Sequence, residues 1–193
     1  VSSPYADSTA KTFTRPTPTL LANGYAVVVS DWRGTGCSGG ELDTSSERFP
    51  QDGYELVEWV AEQPWSDGKI GMGGASARGL GAIRYAMNNP PSLKAIAPQV
   101  FQANIYRDVT HRGGVPHYLD PIYWSIVGQP MESIAAARLK DETCIANRKQ
   151  HTSESALRSF QMLPFHFDSK AMEVRSTAYQ VDRVKVPTLM MQG

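Results

Sequence analysis

Apolar residues in the first hundred positions fall into short blocks divided by turn-forming residues. Tyr25 to Ser30 (YAVVVS) is a continuous β-branched run behind Asn23-Gly24, the pattern of a buried parallel strand. A turn-rich stretch from Asp31 to Asp43 follows (DWRGTGCSGGELD). Asp52 to Gln63 reads as a helix, apolar at Tyr54, Val57, Val60 and Ala61 and stopped by Pro64. Lys69 to Gly73 is a second strand, Ser76 to Asn88 a second helix with Leu80, Ile83 and Met87 on one face, and Leu93 to Pro98 a third strand. Strands alternating with helices at this spacing predict crossover connections and a parallel sheet.

After about Asn104 the pattern changes. No strand is expected before Val184, while Met131 to Lys149 and Ser153 to Met162 read as helices. The expected organisation is therefore a core part over residues 1–103, a mostly helical cap insertion over 104–183, and a return strand of the core over 184–193. The apolar run Leu189-Met190-Met191 would ordinarily lead into more fold, and no initiator Met is present, so the chain reads as an internal fragment of a longer protein.

Charge narrows the function. The chain carries 19 basic and 19 acidic residues with no long run of either, which removes the electrostatic case for nucleic acid or an anionic membrane. No apolar run approaches the ~20 residues that span a bilayer. The N-terminus has neither a basic nor an apolar signal-peptide region, and compartment and oligomeric state are not assigned. The two cysteines, Cys37 and Cys144, are distant in sequence; one bridge is open to them, but two buried free thiols are the expectation. The four histidines show no zinc-binding spacing, so neither a metal nor a cofactor is expected.

Two glycine-rich stretches compete for the chemistry. Gly34 to Gly39 fits GxGxxG, but no helix opens on its last glycine, as a pyrophosphate site needs. Gly71 to Ser76 lacks an acidic residue about 20 positions on to hold a ribose, and no Walker lysine is present. A nucleophile seat suits the second stretch better. A serine on a sharp strand-to-helix turn needs small neighbours, and Gly74 and Gly79 flank Ser76 as GxSxxG, with Arg78 where GxSxG has its second glycine. The Ala77 amide would then face the same space as the Ser76 hydroxyl and could hold an oxyanion. The bland alternative is a serine capping a tight turn.

Context favours the nucleophile. Asp31-x-Arg33-Gly34-x-Gly36-x-Ser38-x-Gly40, then Gln63-Pro64-Trp65-x-x-Gly68, then Gly74-x-Ser76-x-x-Gly79 resembles, in order and spacing over roughly residues 1–107, the cocaine esterase and X-prolyl dipeptidyl-peptidase (CocE/NonD) family. The resemblance implies an α/β-hydrolase fold, a parallel sheet with a helical cap, here partial. It implies Ser76 as nucleophile, with the Ala77 amide and Tyr5, of Ser3-Pro4-Tyr5, as oxyanion donors. It also implies a charge pair within Asp31–Arg33 that pins the turn. The family's tyrosine after the serine is replaced by Ala77, so substrate preference does not carry over. In this fold the acid and histidine follow the strand after the cap, which places both beyond residue 193. His111, His117, His166 and Asp168 are expected to be structural or pocket residues. The expected function is a serine esterase acting on a small-molecule ester or amide, or on a short peptide. An X-prolyl dipeptidyl peptidase, a non-catalytic hydrolase-like binding module and a nucleotide-binding domain are the alternatives.

Overall fold

A computed structural model of the chain describes residues 2–3, 16–44, 46–118, 141–161 and 169–191. The elements that position the site are β1 (Ser2–Ser3), α1 (Pro16–Ala22), β2 (Ser30–Asp31), α2 (Arg48–Ala61), β3 (Ile70–Ala75), α3 (Ala77–Ala86) and β4 (Leu93–Gln99). β3 and β4 run parallel, in register from Gly71↔Ala95 to Ala75↔Gln99. Residues 184–191 return along the other side of β4 through parallel bridges Ile96↔Thr188 and Gln99↔Met191. β1 and β2 form a second parallel pair, and Ser2 Oγ lies 3.3 Å from the Tyr85 hydroxyl, tying β1 to α3.

Helix α2 starts four residues earlier than its apolar pattern suggests. Pro50 falls in its first turn, where a missing N–H costs nothing. Phe49, Gly53, Val57 and Val60 then make its buried face. That face meets α3 in a core of Trp32, Phe49, Val57, Met72, Ile83, Tyr85, Leu93 and Ile96. Phe49 stands edge-on to Trp32 at 4.8 Å and tilted to Tyr85 at 5.0 Å between ring centroids. Gly53 is required here, because a Cβ would strike the Tyr85 ring.

Arg84 and Tyr85 are buried polar residues of this core. The Arg84 guanidinium donates to the Thr44 carbonyl at 3.0 Å, and burial lowers its pKa. Desolvation pushes the Tyr85 phenol up to about 12, partly offset by the contact with Ser2. The folded state therefore favours the neutral phenol. That contribution is complete below the unfolded tyrosine value of about 10 and is lost as pH rises toward about 12. Thermal melts across this alkaline window should show wild type falling more steeply than Tyr85→Phe.

Several expectations need correction. Among the described residues the ladder of β2 covers only Ser30 and Asp31, and Tyr25 is exposed rather than buried. The cysteines are not free thiols: Cys37 and Cys144 form a disulfide across a sequence separation of 107, with Cα atoms 4.4 Å apart. Arg33 does not pair with Asp31. Its fork grips Asp52 of α2 through Nε and Nη2, both at 2.7 Å, while Asp31 accepts the Cys37 amide at 3.3 Å. The hydrogen bond to Asp52 is the main cause of the raised Arg33 pKa.

Past β4 the chain forms a π-helical turn (Tyr106–Thr110) and a short antiparallel hairpin, β5 (His111–Arg112) with β6 (Val115–Pro116), where no strand was expected. Gly113 and Gly114, at φ 64° and 84°, make the hairpin's turn. One helix, α4 (Glu142–Gln161), runs through the point where two helices were anticipated. Met131 to Lys140 and Met162 lie outside the described residues. A short helix α5 (Lys170–Glu173) and two 3₁₀ turns (Thr177–Tyr179 and Val181–Arg183) lead to the return segment.

Candidate active site

β3 ends at Ala75 and α3 begins at Ala77, so Ser76 alone makes the turn. Its backbone sits at φ 59°, ψ −127°, the first central position of a type II′ turn, which glycine ordinarily occupies. Such a conformation costs of order 1–3 kcal/mol and persists only where the surroundings impose it. They do so here: the Ser76 amide donates to the Gln99 carbonyl at 2.9 Å, and the Ser76 carbonyl accepts the Leu80 amide at 3.0 Å. Strand and helix thus hold the serine from both sides.

The two glycines allow that closeness. Gly74 is at φ 152°, and a Cβ there would lie 2.5 Å from the Arg78 Cβ. A Cβ on Gly79 would lie 2.8 Å from the Gln99 carbonyl oxygen and 2.9 Å from that of Gly74. This explains the spacing GxSxxG, since residue 79, not residue 78, faces the backbone of β4. Gly79→Ala should therefore push α3 off the sheet and destabilise the protein by roughly 1–3 kcal/mol, the range for overpacking. A chemical denaturation midpoint equal to wild type would contradict this close approach.

Parallel pairing places the neighbours of Ser76. Ala75 pairs with Gln99, and Gln99 bridges Met191, so Ser76, Val100 and the end of the return segment share one edge. At that edge a pocket of ≈ 430 Å³ is lined by Val100, Phe101, Gln102, Ala103, Asp108 and Met190. Val100 has φ 42°, a left-handed conformation that β-branched residues rarely adopt. The loop behind it is pinned by a reciprocal cap. Asp108 Oδ2 accepts the Ala103 and Asn104 amides at 2.9 and 2.8 Å, and Asn104 Oδ1 accepts the Arg107 amide at 2.9 Å. Sequence reasoning missed Val100 and Asp108.

The Ala77 amide donates to no acceptor among the described residues, as first-turn amides of a helix commonly do not. Tyr5 lies outside the described residues, as do His166 and Asp168. The Ser76 hydroxyl meets no histidine or carboxylate among the described residues. His111 is buried, with Nδ1 3.0 Å from the Thr110 hydroxyl and its ring stacked on Tyr106 at 4.5 Å. The His117 amide donates to the Thr110 carbonyl at 2.8 Å. No group of metal-ligating side chains occurs among the described residues, and no described helix is long and apolar enough to cross a membrane.

A serine in glycine-like backbone, set between a parallel strand and the helix that follows, is the strand–elbow–helix arrangement of the α/β-hydrolase fold. The chain belongs to the X-Pro dipeptidyl-peptidase (S15) family, whose sequence model matches residues 1–193. It is 39% identical over 88 residues to cocaine esterase from Rhodococcus sp. (strain MB1 Bresler), covering 46% of this chain. The matched stretch spans 15% of the length of the curated relatives. A crystal structure of a CocE/NonD family hydrolase from Staphylococcus aureus is similar at 26% identity and a TM-score of 0.61, over 82% of this chain and 26% of that one. An aminopeptidase from a marine sediment archaeon (Thaumarchaeota archaeon) shares the fold at 17% identity and a TM-score of 0.77, over 100% of this chain and 37% of its own. The expected α/β-hydrolase fold and the CocE/NonD relationship are thereby established, within a family of serine esterases and peptidases.

Proposed function

We propose that this chain is the nucleophile-bearing part of a serine hydrolase that cleaves ester or amide bonds through an acyl-enzyme. The observation that carries the proposal is the strained backbone of Ser76 at the carboxyl edge of the sheet. Strain of this kind clusters where function needs a side chain held up from the fold. Ser76 Oγ attacks the substrate carbonyl, and the bond to the leaving alcohol or amine breaks as the tetrahedral intermediate collapses. The Ala77 amide, at the start of α3, and the Tyr5 hydroxyl hold the oxyanion. Residues 1–103 and 184–193 supply the core of the sheet in this reading, and 104–183 the cap.

The base and acid of the triad are assigned to residues beyond 193. In this fold they follow the strand after the cap, and no described histidine reaches Ser76. Without them the hydroxyl is a weak nucleophile, so residues 1–193 alone should not hydrolyse aryl esters above a Ser76→Ala control.

The match to the X-Pro dipeptidyl-peptidase family favours a second reading, release of an X-Pro dipeptide from a peptide N-terminus. Turnover of aryl esters against X-Pro anilides by the complete protein separates the two. Turnover of neither, with no acyl adduct on Ser76 by intact mass, would leave a hydrolase-like binding module instead.

A further inference from the structure

The disulfide joins two parts of the chain that the sequence keeps far apart, and each part is held differently. Cys37 belongs to the loop after β2, which is fastened to the scaffold. Asp31 accepts its amide, Gly34 N–H donates to the Gly39 carbonyl at 3.0 Å, and Arg33 grips Asp52. Trp32, the residue after β2, packs against Gly81 of α3; a Cβ at Gly81 would meet the indole at 3.2 Å. The loop is therefore packed on the helix that follows Ser76.

Cys144 sits in the first turn of α4, where its amide donates to Asp141 Oδ1 at 3.0 Å. The buried face of this helix, over its described side chains, is Cys144, Arg148 and His151, spaced four and then three residues apart. Asn147 adds one direct bond, donating to the Cys37 carbonyl at 2.9 Å. Apart from the sulfur atoms, that face is polar. Among the described side chains of α4, apolar burial, which ordinarily docks a helix, is confined to Cys144. The covalent bond joins the first turn of α4 to the loop, and it closes a long stretch of chain, the case in which a cross-link constrains the chain most.

We propose that the Cys37–Cys144 bond is a redox-sensitive strap that seats α4 on the loop beside the Ser76 edge, and that the enzyme works oxidised, in a compartment that preserves disulfides. A dithiol reductant breaks the strap: the S–S bond is cleaved, two thiols form, and the reductant closes to its own disulfide. In this proposal the seated α4 covers the substrate at the Ser76 edge, so its release lowers binding more than chemistry. This kinetic part rests on the esterase or peptidase reading above.

The test uses the complete protein purified without reductant. Native iodoacetamide treatment should modify neither cysteine before dithiothreitol and both after it. Reduction should raise amide hydrogen exchange in residues 142–151 by at least about tenfold while β3 and β4 stay protected. It should raise KM for an aryl ester about tenfold with kcat within about threefold, and reoxidation should restore both. The Cys37→Ser/Cys144→Ser variant should match the reduced enzyme and ignore dithiothreitol. If that variant does not fold, reversible reduction of the wild type gives the same comparison. Alkylation of both cysteines without reductant would overturn the strap, as would unchanged exchange in 142–151 after reduction. Unchanged KM with increased exchange would overturn its effect on the site. Alkylation and exchange need no catalysis, so they separate failure of the strap from failure of the hydrolase reading.

Discussion

Ser76→Ala in the complete protein should lower kcat by on the order of 10⁶-fold, because members of a catalytic triad act as a unit and losing the nucleophile removes nearly all of the acceleration. The fold should tolerate the change, since alanine fits the space of serine and the elbow is held by backbone bonds to Gln99 and Leu80 rather than by the hydroxyl. A companion substitution exposes the strain itself. Ser76→Gly should match alanine in lost activity yet exceed it in stability, because glycine adopts φ 59° without cost. Steady-state rates and denaturation midpoints for both variants check this. Retention of a tenth of wild-type kcat in either would remove Ser76 from the mechanism.

Tyr5→Phe should lower kcat by roughly 10²- to 10³-fold while leaving KM nearly unchanged, the signature of losing one oxyanion donor that acts only in the transition state. Phenylalanine keeps the ring and removes only the hydroxyl, so packing is a weak explanation for such a loss. The Ala77 amide would hold the oxyanion alone, accounting for the residual rate. A change confined to KM would instead make Tyr5 part of the binding pocket.

The site was legible where its requirements are local. A serine at a one-residue strand-to-helix turn needs flanking glycines whatever else the fold contains, so Gly74, Ser76 and Gly79 stood out in the chain. Even the shifted second glycine is intelligible once Gly79 faces the carbonyls of Gln99 and Gly74. The β3–α3–β4 unit was legible for a similar reason, since its apolar blocks and turn residues alternate at the period of its elements.

What stayed hidden depends on partners distant in sequence. Arg33 and Asp52 are 19 residues apart and meet only because α2 packs beside the loop after β2. The two cysteines carried no spacing signal, because their bond joins segments 107 residues apart. The β5–β6 hairpin has two-residue strands, too short for any periodicity, and only Gly113-Gly114 marked its turn. The start of α2 was misplaced because its apolar stripe was read from Tyr54 on, while the helix begins at Arg48 with Pro50 in its first turn.

The most direct measurement is labelling of the complete protein by a fluorophosphonate, which reacts only with a serine hydroxyl activated as a nucleophile. Wild type should take one adduct, located by peptide mass spectrometry to Ser76, and Ser76→Ala should take none. Absence of labelling on folded wild type, or labelling that persists in Ser76→Ala, would contradict the assignment of Ser76 as the nucleophile.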